Sequence, residues 1–304
     1  MNFDEAFDQT VAYLKANIPT ALWGHPGIGK SALAQKVADT FKLEFIDIRL
    51  GQLDPVDLAG YPEKGNGSFG YLPYEEFPLE STPIPEGKAG WLIMFDEINT
   101  APRQNLSASY KIILDRKIGR HKLHPKCRII TGGNYAGEGS LAGALPLPLV
   151  SRLAHINLVP ELTPVLKTIL GSTIFDFLSA NPKYIYMAPQ VPNTPYPTLR
   201  AWEMVSKVEA ANPTNDRMQA VRSIIGIVGE EAAVHYATFA EEHFELEKIM
   251  ENSAEYPLEH SQALIDLMST DPSLLKSNID KFQSEWKTIA RSKLAELETD
   301  DIPF

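Results

Sequence analysis

The sequence predicts an α/β fold over residues 1–160, a parallel sheet flanked by helices, followed by an all-helical region over 161–304. Three observations carry this. Short apolar runs alternate with helical patterns through the first 160 residues, the signature of β-α units and a parallel sheet. One run, WLIMF (91–95), is apolar at every position, as expected for a strand buried on both faces. After Pro160 the strand patterns stop and helical periodicity takes over.

The elements follow in order. FDEAFDQTVAYLKANI places Phe7, Val11 and Leu14 at helical spacing, and Pro19 ends the pattern. TALWG is a short apolar strand running into a glycine loop, and SALAQKVADTF (31–41) reads as a helix. FIDIRL (45–50) and WLIMF are the second and third strands, RQNLSASYKIILDR (103–116) is a helix, and CRIIT (127–131) and HINLV (155–159) are the fourth and fifth strands. Between the second and third strands lies DPVDLAGYPEKGNGSFGYLPYEEF (54–77). Its KGNGS (64–68) is a turn of Gly and Asn, so a β-hairpin is expected. Tyr61, Phe69, Tyr71, Tyr74 and Phe77 form an aromatic cluster that either packs on the sheet or meets a partner. A basic segment, KIGRHKLHPK (117–126), reads as a solvated hairpin, a contact for an acidic neighbour, or a nucleic-acid contact.

Beyond residue 160, helices are expected over TPVLKTILGSTIFDFLSAN (163–181), LRAWEMVSKVEAA (199–211), DRMQAVRSIIGIVG (216–229), EEAAVHYATFAEEHFELEKIM (230–250), HSQALIDLMS (260–269) and LLKSNIDKFQSEWKTIARSKLAEL (274–297). The Pro-rich YMAPQVPNTPYP (186–197) is a loop, and the acidic ETDDIPF (298–304) is expected to fray.

Composition narrows the function. A net charge of -11 argues against a broad nucleic-acid surface, because such binding rests on Lys and Arg neutralising phosphates. No window approaches 18 apolar residues, so no membrane span is expected, and MNFDEAFDQT lacks the apolar run of a signal peptide. The single cysteine, Cys127, reads as a small core residue. Together these features point to the cytoplasm.

The chemistry sits in GHPGIGKS (24–31), which fits G-x-x-x-x-G-K-[ST] with Gly24, Gly29, Lys30 and Ser31 between a strand and a helix. Backbone N–H groups of such a loop, here Gly24, Pro26 (which lacks one), Gly27, Ile28, Gly29, Lys30, Ser31 and Ala32, cradle the phosphates of ATP at a helix N-terminus. Lys30 is placed to reach the β- and γ-phosphates, and the Ser31 hydroxyl to ligate Mg²⁺. At the end of WLIMFDE, Asp96 is placed to hold the metal, and Glu97 to polarise the attacking water as base or positioner. No paired Cys or carboxylate accompanies His121 and His124, so no metal other than Mg²⁺ is expected.

Taken together these residues resemble the AAA+ ATPases, and within them the MoxR family. The match is FDEINTAPRQNLSASYKIILDRKIG, with RLGQLDPVDLAGYPEKGNGSFGYLP in the place of the family's hairpin insert. GGN (132–134), LPLPLVSRL and PTLRAWEMV occupy the places of sensor 1, the arginine finger and sensor 2; where the family has DRF or similar, this chain has SRL. LGQLDPVDLAGYP is similar to MoxR-like ATPases carried by bacteriophages, for which the compartment would be the host cytoplasm. The resemblance implies that Asn134 orients the water with Glu97. It implies that Arg200 reaches the γ-phosphate from a helical lid, and that Arg152 acts on the neighbouring subunit's ATP. It further implies a homo-oligomeric, hexameric ring that remodels or assembles a protein partner, such as one with a von Willebrand A domain. A nucleic-acid motor and a nucleotide-gated scaffold are the alternatives; net acidity disfavours the first, and intact Asp96 and Glu97 the second.

Overall fold

The computed structural model describes residues 1–64, 69–135, 143–189, 191–212 and 217–300. The expected turn at 65–68 and the last four residues of the acidic end lie outside the described residues. Contacts divide the chain into two compact units, Met1–Glu161 and Leu162–Phe304.

In the first unit α1 (Phe3–Lys15) opens on a capping box: Glu5 N–H donates to Asn2 Oδ1 at 2.8 Å and Asn2 N–H to Glu5 Oε2 at 3.1 Å. Then come β1 (Thr20–Trp23), α2 (Lys30–Thr40), β2 (Leu43–Arg49), α3 (Pro55–Ala59), β3 (Tyr61–Lys64) and β4 (Phe69–Leu72). These are followed by β5 (Gly90–Asp96), α4 (Arg103–Asp115), β6 (Lys117–Ile118), β7 (His121–Lys122), β8 (Cys127–Gly133), α5 (Leu147–Val150) and β9 (Ala154–Asn157). Five strands form one parallel sheet in the order β2-β5-β8-β1-β9. The all-apolar β5 is explained by its two faces. Trp91, Ile93 and Phe95 join the core containing Ile112 and Ile113 of α4, while Leu92 and Met94 join the core containing Ala6 and Leu14 of α1 and Leu33 and Val37 of α2.

The two expected hairpins form, β3 with β4 and β6 with β7, both antiparallel. Their frame holds a short helix that periodicity misses, α3, because five residues are too few to show a period. Its start is fixed locally by Asp54, whose N–H donates to Asp57 Oδ2 at 2.9 Å, and by Pro55 in the first turn.

The second unit is helical: α6 (Pro164–Leu170), α7 (Ser172–Ala180), α8 (Leu199–Ala211), α9 (Arg217–Val228), α10 (Glu230–Asn252), α11 (Ser261–Met268), α12 (Pro272–Asn278) and α13 (Ser284–Asp300). Two of its expected helices are each two. The stretch 163–181 breaks at Gly171, whose φ of 85° and ψ of 162° lie in a region essentially reserved for glycine. The stretch 274–297 breaks at 279–283, where Ile279 and Phe282 turn into the core around Tyr256 and the Tyr256 N–H donates to Lys281 O at 2.9 Å. Of the acidic end, residues 298–300 belong to α13, which runs to Asp300 with Glu298 held by Lys276 at 3.0 Å. Phe177, Tyr184, Trp202 and Tyr236 centre one helical core, and Tyr256, Met268 and Phe282 a second. Among the described residues no helix is long and apolar enough to cross a membrane.

Candidate nucleotide site

The site lies at the C-terminal edge of the sheet, where β1, β5 and β8 end side by side. β1 delivers the loop 24–31. Gly27 and Gly29 have φ of 76° and 100°, which turns the chain so that α2 begins at Lys30. Lys30 is 8% exposed, and its ammonium donates to Gly24 O at 2.8 Å, His25 O at 3.0 Å and Asn134 Oδ1 at 2.8 Å. Ser31 Oγ donates to Asp96 Oδ2 at 3.2 Å. The structure therefore brings together Lys30, Ser31, Asp96 and Asn134 from three points of the sequence.

Asp96 ends β5, and its Oδ1 accepts the N–H of Glu97 at 2.8 Å. The exposed Glu97 has φ of 55°, a left-handed conformation costing about 1–3 kcal/mol for a non-glycine residue. The turn is held by Thr100, whose N–H and Oγ1 both donate to Glu97 O, at 3.0 and 2.9 Å. Two residues that the sequence left without a role support the site. Asn99, buried, donates from Nδ2 to Asn134 O at 2.7 Å and accepts the Asn134 N–H on Oδ1 at 3.1 Å. It fixes the backbone from which Asn134 meets Lys30. Gly132 lies against Asp96: a Cβ there would sit 2.3 Å from Asp96 Oδ1. Asn99 was legible only as part of the DEIN motif, and no sequence pattern marks Gly132.

The carboxyl of Asp47 on β2 is raised above the ordinary range by burial first, then by the negative charge of Asp96, with Arg49 opposing and Glu97 adding to the rise. Ser31 and Asp96 offer only oxygen, the donor type of a hard ion such as Mg²⁺. Among the described residues no three His, Cys, Asp or Glu side chains converge on a metal. That is compatible with an ion that takes few protein ligands and completes its shell with substrate phosphates.

Arg152 lies away from this convergence, and Arg200 belongs to the second unit. Arg152 follows α5 and precedes β9, which begins at Ala154 opposite Thr20, the first residue of β1. The phosphate loop leaves the other end of β1, so Arg152 stands at the opposite edge of the sheet, exposed, with its Nη1 donating to Pro148 O at 3.1 Å. Arg200, also exposed, sits in the first turn of α8 in the helical unit, just after the N-cap Thr198, whose Oγ1 accepts the Ala201 N–H at 3.0 Å.

No protein-family profile and no curated protein sequence matches the chain. Solved structures similar to it include a candidate ATPase from Cytophaga hutchinsonii (14% identity over 98% of this chain and 85% of that one, TM-score 0.39). The RuvB Holliday junction branch migration motor of Thermotoga maritima is similar at 17% identity, over 82% of this chain and 76% of its own, with a TM-score of 0.37. NtrX from Brucella abortus, in complex with ADP, is similar at 14% identity, over 97% of this chain and 68% of its own, with a TM-score of 0.43. Likeness this distant leaves the function to be read from the chain's own residues.

Proposed function

We propose that this chain is a Mg²⁺-dependent ATPase of the AAA+ class, similar to the MoxR family, working as a head-to-tail ring that remodels or assembles a protein partner. The observation that carries the reading is the convergence of Lys30, Ser31, Asp96 and Asn134 at one sheet edge, with Glu97 in the next residue. A phosphate loop alone binds. A strand-end carboxylate on the loop serine, an acidic residue beside it and an amide on the loop lysine add what hydrolysis requires.

In this reading Lys30 exchanges an oxygen of its present set for the β- and γ-phosphates and neutralises their charge. Glu97 accepts a proton from, or orients, the attacking water, and Asn134 holds that water in line. Ser31 and Asp96 would hold Mg²⁺, which when bound supplies charge neutralisation across the phosphates. The position of Arg152 at the edge of the sheet opposite its own phosphate loop supports the role that the resemblance implies, action on a second copy's ATP, where an arginine stabilises charge on the transferring phosphoryl group. Arg200 reports the γ-phosphate to the helical unit. With Arg152 supplied by a neighbour, the active site lies at a head-to-tail contact, and the resemblance to the MoxR family supports its closure into a ring, here a hexamer.

The test separates binding from cutting. Lys30→Ala should lose ATP affinity, and Glu97→Gln should keep it while turnover falls by about 10²–10⁴-fold. A Glu97→Gln protein that turns over at the wild-type rate removes Glu97 from the mechanism. Capture of a protein by the ATP-loaded Glu97→Gln ring, and not by Lys30→Ala, would identify the partner.

A further inference from the structure

At the sheet edge far from the phosphate loop, Arg152 shares a groove with Lys111. Ser107, Tyr110, Lys111, Leu114, Asp115 and Arg152 line one open groove of about 470 Å³. Its position is set by topology. α4 follows β5, so it descends from the site edge, and its last residues lie at the strand-start edge. Arg116, just after α4, confirms this: its Nη1 donates at 3.3 Å to the carbonyl of Cys127, the first residue of β8. Lys111 and Arg152 therefore share a groove that their own copy's nucleotide does not reach.

The charges of this groove are unusual for the chain. The protein has 28 Lys and Arg against 39 Asp and Glu. Yet among the described residues neither Lys111 nor Arg152 pairs with a carboxylate; Arg152 has only a backbone carbonyl. Asp115 lines the groove without forming an ion pair with either. Two cations against one carboxylate leave the groove net positive, and a net positive cleft attracts anionic ligands.

We propose that this groove receives the phosphate end of the nucleotide held by a second copy of this chain, and that Lys111 is a second trans-acting cation beside Arg152. The inference rests on the ATPase reading and deepens it. The two side chains divide the work by chemistry. The Arg152 guanidinium is a planar fork suited to two oxygens, whereas the Lys111 ammonium is a compact charge that follows a phosphoryl group as it moves. Lys111 comes from helix α4 and Arg152 from the turn before β9, so two separate elements supply the two cations.

The experiment uses the full chain and ATP with Mg²⁺. Lys111→Ala should fold and assemble as wild type, with kcat lower by about 10- to 100-fold and KM little changed, and Lys111→Arg should recover most of the loss. The decisive arm mixes Lys111→Ala with Lys30→Ala. Each is defective alone, but a contact between the phosphate loop of a Lys111→Ala copy and the groove of a Lys30→Ala copy has both lysines intact, so mixing should restore turnover. Wild-type kcat in Lys111→Ala overturns the proposal. A loss that mixing does not restore in co-assembled rings also overturns it, because Lys111 would then serve its own copy. A Lys111→Ala chain that no longer assembles reduces Lys111 to an interface residue and overturns the phosphate contact. A wild-type protein that assembles and binds ATP but does not cut it overturns the ATPase reading itself, an outcome distinct from all three.

Discussion

Gly132 faces Asp96 so closely that no side chain fits between them. Gly132→Ala should push the carboxylate off Ser31 while leaving Lys30 in place, so ATP affinity should persist while turnover falls on the order of 10²-fold, as for a displacement of about 1 Å. Nucleotide titration beside a turnover assay checks this; equal losses in both would mean the loop itself had moved. Asn99→Ala should act similarly through Asn134, and a double variant with Asn134→Ala should be no worse than Asn134→Ala alone. Cys127 gives the residue-scale pH dependence. Burial is the main cause that pushes its thiol up from an ordinary value near 9 to about 12. The folded thiol thus stays protonated where the unfolded one ionises, so stability is intact below pH 9 and falls as pH rises from about 9 toward 12. Denaturant melts of wild type and Cys127→Ala across that window should diverge, the variant losing less. A disulfide-exchange reagent at pH 8 should label the thiol only after unfolding. Lys30, Ser31 and Asp96 were legible in the sequence because their chemistry demands fixed spacings. Asn99 was legible as a motif position but not in its role, and Gly132 not at all, because a bond to the Asn134 backbone and a missing Cβ leave no periodic trace.

At the scale of elements, the sheet was readable because burial on both faces leaves its strands apolar throughout. The helical unit was readable in content but not in punctuation. Gly171 and the turn at 279–283 interrupt periods that continue on either side, and only tertiary contacts decide that they break. Gly171→Ala should cost about 1–3 kcal/mol, because its φ and ψ suit glycine alone while no neighbour crowds the site. A thermal melt with unchanged or raised stability would mean that α6 and α7 can merge. The β3–β4 hairpin exposes Tyr61, Tyr71 and Leu72, and His121 Nε2 lies 3.1 Å from Tyr71 O, tying it to the β6–β7 hairpin. Phe77 is buried against Phe95, so the aromatic cluster divides, part packed on the sheet and part exposed. Replacing Lys64–Ser68 by a shorter turn should spare basal ATP turnover and remove stimulation by the true partner. Full stimulation in the shortened protein would leave the hairpin a structural role and shift attention to residues 117–126.

The whole molecule carries an excess of acid, and the basic segment between β6 and β8 is short. DNA or RNA should therefore stimulate ATP turnover weakly, and any binding should fade between low and physiological salt. Tight binding with several-fold stimulation at physiological salt would promote the motor alternative. Mixing Glu97→Gln with Arg152→Ala tests the trans geometry directly, since each is expected to be inactive alone, yet mixed contacts hold one complete site. The placement of Arg152 at the edge of the sheet opposite its own phosphate loop also has a kinetic consequence. If Arg152 acts on a second copy's ATP as proposed, a solitary copy owns half of two active sites and the whole of none. Turnover per chain should then rise with protein concentration and vanish on dilution, even at saturating ATP. The amount of protein in the cell would set a threshold below which the machine is silent, with no inhibitor needed.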